Sequence, residues 1–135
     1  MQTLDVIALI KALQTLERNA NVALMYSGLR IPQFRLLDAL DSLGKATVSE
    51  LSERLRITRA TTSVMVNDLI RTGSAAVIEN PTDRRSFYVS LTDHGVGRLQ
   101  VARTDLEVMI GKLSQRYPQA MCRMLNEFAQ STGSK

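Results

Sequence analysis

Residues 47–73, TVSELSERLRITRATTSVMVNDLIRTG, decide the fold. Thr47 and Glu50 stand at the spacing where a hydroxyl and a carboxylate each satisfy an unpaired backbone N–H at a helix start. A short helix burying Leu51 and Leu55 should follow and break near Arg56 and Ile57. Thr58 then caps a second helix in which Thr62, Met65, Val66 and Leu69 fall at i, i+3, i+4 and i+7, one face of a helical period. Gly73 ends it. The period changes at once in residues 74–91, SAAVIENPTDRRSFYVSL. Ala75 to Ile78 is β-prone, Asn80 to Asp83 is turn chemistry, and Ser86 to Leu91 alternates like a strand. Two strands around a tip at Thr82 to Arg85 predict a hairpin. Helix, turn, helix and hairpin in that order is the plan of a winged helix-turn-helix.

Working outward, Phe34, Leu36, Leu37, Leu40 and Leu43 stripe a helix running from Pro32 to Gly44. From Thr3 to about Ser27, Leu4, Ile7, Ala8, Leu13, Leu16, Ala20, Ala23 and Leu24 keep helical spacing, and Leu9 and Ile10 widen the stripe. Gly28 and Pro32 mark its end. Downstream, Thr92 and Asp93 cap a long helix striped by Val96, Leu99, Val101, Leu106, Met109, Ile110 and Leu113. Tyr117-Pro118 interrupts it, and Met121, Met124, Leu125 and Phe128 define a last amphipathic helix. Ser131 to Lys135 reads as a frayed end. The expected class is mainly α with a small β-hairpin wing. Residues 31–91 form the winged helix-turn-helix head, and 1–30 with 92–135 form helical flanks. Those flanks carry more apolar surface than one small head can cover, which implies a partner helix.

Composition narrows the chemistry. At 135 residues the chain is one domain's worth, and 17 Lys and Arg against 13 Asp and Glu give a mild +4, so where the charge sits matters more than its total. The lone Cys122 excludes a disulfide scaffold, and with the lone His94 it cannot build a His/Cys metal site. No metal and no cofactor is expected. Cys122, near Met121 and Met124, reads as a small apolar residue of the last helix. The longest apolar run, Val6 to Ile10, is far short of the roughly 20 residues that cross a bilayer. No basic segment precedes an apolar leader, so the expectation is a cytoplasmic protein with no membrane partner. Neither paired carboxylates nor nucleophile–base spacing nor a phosphate loop occurs, which argues against an enzyme.

The helix from Thr58 to Thr72 carries Arg59, Thr61, Ser63, Val64 and Asn67 opposite its apolar face. These suit base edges: a guanidinium bonds a guanine, hydroxyls donate or accept, and a Val methyl can touch a thymine methyl. Arg54, Arg56 and Arg59 lie within six residues free of acid, and Arg84 and Arg85 sit at the hairpin tip. Basic clusters on either side of a helix-turn-helix favour double-stranded DNA, since an Arg-tipped wing can follow the backbone or enter the minor groove.

Ile31 to Gly95, above all Asn80-Pro-Thr-Asp-Arg-Arg-Ser86 followed by Leu91-Thr-Asp-His-Gly95, resembles the MarR (multiple antibiotic resistance regulator) family of bacterial transcription factors. The helix start at Thr47 to Leu51 and the helix end at Leu69 to Gly73 also match its pattern. The resemblance implies a homodimer with intertwined terminal helices and two winged heads on a palindromic operator. Half-sites would lie roughly 34 to 36 Å apart. It implies a repressor in which Asp83 orients a wing Arg while Arg84 and Arg85 contact DNA. It further implies release by a small aromatic effector, with Tyr26, Arg30, Phe34 and Leu37 as the candidate cleft. The chain departs from the family at Val64, where Arg is frequent, and at Ser74-Ala-Ala-Val77, where the family has Leu-Val-x-Arg. These departures carry an alternative: a degenerate winged-helix module that controls another regulator by protein–protein contact.

Overall fold

Asp5 opens the first helix, its Oδ1 accepting from the backbone N–H of Ile7 at 2.9 Å. In the computed structural model, which describes residues 5–83 and 85–133, this helix is α1, Val6–Ala23. It ends four residues before the expected Ser27, because Leu24 turns the chain into a tight 3-10 turn, Met25–Ser27, that stops at Gly28 with φ 71°. Thr3 and Leu4, the first residues of the expected stripe, lie outside the described residues. α2 spans Ile31–Leu43, with Pro32 in its first turn, where a missing N–H costs nothing. α3 is Val48–Leu55, α4 is Arg59–Arg71, α5 is Asp93–Arg116 and α6 is Gln119–Gly133.

Strands β1 (Ala75–Glu79) and β2 (Phe87–Leu91) pair antiparallel, with Val77 opposite Val89. The hairpin is fastened to the head by a contact that alternation did not announce. Ala46 exchanges both backbone hydrogen bonds with Val89, at 3.0 and 2.8 Å, ahead of α3. Val89 is thereby buried under the helices while the wing's far end projects.

One core serves the whole arrangement. Leu36, Leu37 and Leu40 of α2 meet Leu51 of α3, Val66 and Leu69 of α4 and Val89 of β2, all nearly or fully enclosed. Leu24, after α1, and Leu99 and Ala102 of α5 join the same cluster, so the flanking segments share the head's core. Within α5 the expected stripe is only partly inward: Leu99 is buried, but Val101 and Ile110 are exposed. Gly95 and Ala102 take the inner face instead, because α5 starts hard against the end of α4. A Cβ on Gly95 would lie 1.9 Å from the Ser74 carbonyl oxygen. Thr92 locks that approach, its N–H donating to Ser74 O at 3.1 Å and its hydroxyl to Gly73 O at 2.5 Å.

Of the expected frayed end, Ser134 and Lys135 lie outside the described residues, and the rest is helical. Ser131 to Gly133 continue α6, with the Ser131 hydroxyl donating to Phe128 O at 3.0 Å. No helix among the described residues is long and apolar enough to cross a membrane.

Candidate nucleic-acid interface

The site begins with two caps. Glu50 N–H donates to Thr47 Oγ1 at 3.1 Å, and Thr47 N–H donates back to Glu50 Oε1 at 3.3 Å, fixing the start of α3. α3 ends at Arg56, whose φ of 56° is left-handed backbone, a conformation that costs a non-glycine residue roughly 1–2 kcal/mol. That kink turns the chain into α4. Thr61 N–H then donates to Thr58 Oγ1 at 3.1 Å, and the buried Thr62 hydroxyl donates to Thr58 O at 2.8 Å.

Thr62, Met65, Val66 and Leu69 face the core, which fixes the rotation of α4. The opposite side is thereby presented outward: Arg59, Ala60, Thr61, Val64 and Asn67 are exposed, and Ser63 is half-buried. Near the far end of the helix Arg71 pairs with Asp68.

The wing tip is ordered by its own side chains. Asn80, buried, donates from Nδ2 to Ser86 Oγ across the turn at 3.1 Å and accepts from the Thr82 hydroxyl at 2.7 Å. Asp83 Oδ1 accepts from the Arg85 N–H at 3.0 Å and stands 3.5 Å from its Nε. The Arg85 side chain is otherwise open, 94% exposed. Arg84 lies outside the described residues. On the tip-side half of β2, the Tyr88 ring centroid lies 4.7 Å from the Lys45 ammonium, a cation–π contact.

These elements enclose a notch of about 360 Å³ lined by Thr47, Val48, Ser49, Arg59, Ala60, Ser63, Arg85, Ser86 and Phe87. The N-terminal ends of α3 and α4 and the wing thus meet around one hollow containing two guanidinium groups and several hydroxyls. Of the residues singled out from sequence, Arg59, Ser63 and Arg85 converge there. Thr61, Val64 and Asn67 lie on the exposed side of α4. Arg54 is exposed and does not line the notch, donating from Nη2 to Ser42 Oγ at 3.4 Å, and Arg56 occupies the α3–α4 turn. Ser49, Ser86 and Phe87 were not anticipated. The capping box was the available signal for Ser49, since it marks where backbone amides and small polar groups face outward.

The four candidate cleft residues sit in different surroundings. Leu37 is fully buried in the core and Phe34 is packed against it. Arg30 sits ahead of α2, its backbone N–H donating to Gln33 Oε1 at 3.1 Å, and Tyr26 is 95% exposed. Tyr26 instead lines a crevice of about 440 Å³ with Ser27, His94, Gly97, Arg98 and Val101. Arg98, also unanticipated, bridges segments: Nε donates to Ser27 O at 2.9 Å, and Nη1 donates to Ser74 Oγ at 2.7 Å. A second clamp joins α5 to α2 through Arg103, bonded to Asp38 at 2.7 Å and Asp41 at 3.1 Å. The Asp38 hydrogen bond, opposed in part by burial, raises the Arg103 pKa.

Residues 27–86, the segment that builds this site, match the family model described as MarR family. The winged head is thus similar to that family. Solved structures share the fold across nearly the whole length. Wild-type MarR (apo form) from E. coli is 19% identical with a TM-score of 0.81, covering 98% of this chain and 98% of that one. A cysteine-to-serine mutant of E. coli MarR complexed with operator DNA is 19% identical, TM-score 0.82, covering 93% of this chain and 90% of that one. A MarR-family transcriptional regulator from Rhodococcus sp. RHA1 is 16% identical, TM-score 0.83, covering 94% and 90%. No curated protein matches the chain's sequence.

Proposed function

We propose that this chain is a MarR-family transcriptional regulator, a homodimer that binds a palindromic operator in double-stranded DNA and represses by occupying it. The observation that carries the reading is the notch where Arg59, Ser63 and Arg85 meet beside the outward face of α4. In this reading α4 enters the major groove with Arg59, Thr61, Ser63, Val64 and Asn67 toward base edges. Arg54, Arg56, Arg84 and Arg85 serve the backbone or the minor groove, and Asp83 orients Arg85. The notch carries charge suited to backbone phosphate, with the amide ends of α3 and α4 adding to the two guanidinium groups.

Residues 31–91 supply the DNA-binding head, and 1–30 with 92–135 supply the dimer contacts. The exposed Val6, Ile7, Ile10 and Leu13 of α1 and the exposed Met124, Leu125 and Phe128 of α6 support this division. Release by a small aromatic compound is part of the proposal. Its support is the Tyr26–Val101 crevice, where Arg98 ties the 3-10 turn to the end of α4.

Selection of bound DNA from a random pool, followed by salt titration of the winner, tests the reading. A palindrome should emerge, and log affinity should fall linearly with log salt. Arg85→Ala should lower that slope by about one for each phosphate left without its guanidinium. A pool that yields no preferred sequence, or binding indifferent to salt, overturns the proposal. In its place would stand a winged-helix module acting on another protein.

A further inference from the structure

The middle of the outward ridge of α4 carries methyl groups where a hydrogen-bonding reader would be expected. Ala60, Val64, Asn67 and Arg71 recur at i, i+4, i+7 and i+11, and all four are exposed, so they form one line along the helix. At about 1.5 Å per residue, Ala60 to Asn67 covers roughly 10 Å, about three base-pair steps. Arg71, at the end of the line, is paired with Asp68. Beside the line, the Thr61 hydroxyl accepts from Thr58 Oγ1 at 2.9 Å, which ties it to the helix cap. Val64 stands in the centre with 69% of its surface open.

We infer that Val64 reads the 5-methyl group of one thymine in each half-site, and that this methyl determines specificity at that position. The inference rests on the DNA-binding reading above and adds what the central base must be. An isopropyl group pressed against guanine N7 and O6, or against the cytosine amino group, strips water from a polar edge and returns no hydrogen bond. Against thymine the same group meets a methyl, and the only surface that leaves water is apolar on both sides. The recognised feature is the methyl itself, so 5-methylcytosine presents it too.

The test uses the full chain and the operator selected from the random pool. Each thymine is replaced by deoxyuridine in both half-sites, and Kd is measured at fixed salt for the wild type and Val64→Ala. One thymine per half-site should weaken wild-type binding about fourfold when its methyl is removed, and roughly fifteenfold when both half-sites are changed. Val64→Ala should reduce that difference to under about twofold, the signature of a coupled pair. At the same position 5-methylcytosine should bind the wild type more tightly than cytosine does, with no such preference in Val64→Ala. Val64 lies outside the core, so the variant keeps its fold, and its salt slope should equal the wild type's. An operator that binds well but shows no methyl-sensitive thymine, or loses as much with Val64→Ala as with the wild type, overturns this inference alone. A pool without any operator removes the DNA-binding reading, and this inference with it.

Discussion

Helices α1 and α4 are both amphipathic, and they dispose of their two faces in opposite ways. α4, over 13 residues, buries Thr62, Met65, Val66 and Leu69 within its own chain and leaves its polar side outward. α1, over 18 residues, buries none and leaves Val6, Ile7, Ile10 and Leu13 in the open. A satisfied apolar face fixes how a helix is rotated, and so fixes what its other face can read. An unsatisfied apolar face asks for another protein surface. Under the proposed function the two helices are complementary: one aims the reading surface, and the other joins two such surfaces on one operator.

The largest effect should come from breaking the unsatisfied side. Leu13 is 56% exposed in the centre of α1 and stands outside the core that the head shares. A carboxylate there would be buried unpaired in a dimer but solvated in a single chain. Leu13→Glu should therefore give a chain that sediments as a monomer while circular dichroism keeps the helical signal. Loss of the second head removes an effective local concentration, so operator affinity should drop by about 10²- to 10⁴-fold. A wild-type protein that is already monomeric, or a Leu13→Glu variant that remains dimeric, would show that the open face of α1 has another use.

A smaller loss is expected where flank and head are joined. Gly95 lets α5 approach the Ser74 carbonyl so closely that an added Cβ would fall 1.9 Å from its oxygen. Gly95→Ala must push α5 away from the end of α4, straining the Thr92 contacts to Gly73 and Ser74. Overpacking of this kind costs about 3 kcal/mol, read as a lower midpoint in urea with the slope unchanged. An unaltered midpoint would mean that α5 is not held by this contact and that the flank packs more loosely than the shared core indicates.

That glycine also shows where sequence reading succeeds and where it stops. The wing, the capping box at Thr47, the Thr58 cap and the inner face of α4 were legible because each is a local rule: a spacing, a cap or a period. Leu-Thr-x-x-Gly was legible only as a family signature, and its physical reason, two backbones in near contact, needed coordinates. The Ala46–Val89 bridge and the Arg98 link to Ser27 and Ser74 were not legible, since their partners lie far apart in sequence and no periodicity marks them. The stripe on α5 leaves Val101 and Ile110 exposed in the single chain, because periodicity finds an apolar face without saying which surface covers it. For the same reason Leu37, a candidate cleft residue, lies in the core, and the interface includes Ser49 and Ser86, which lie inside recognised motifs without having been assigned to it, and Phe87.

The finest comparison sets one helix cap against another. Thr47 caps α3 inside the cooperative core, next to Ala46, which is itself bonded to Val89. Asp5 caps α1 at the end of a helix that buries nothing within its own chain. Each side chain satisfies orphan N–H groups, and removal of such a cap costs about 1 kcal/mol where the helix start is part of the global unfolding unit. Thr47→Ala should therefore lower the melting temperature by about 4 °C. Asp5→Ala should leave it within about 1 °C, because the first turn of α1 can fray without opening the core, and hydrogen exchange should rise only at the start of α1. Equal losses from the two substitutions would mean that α1 unfolds with the head as one unit, and that its open face is already covered by a second chain wherever the protein is folded.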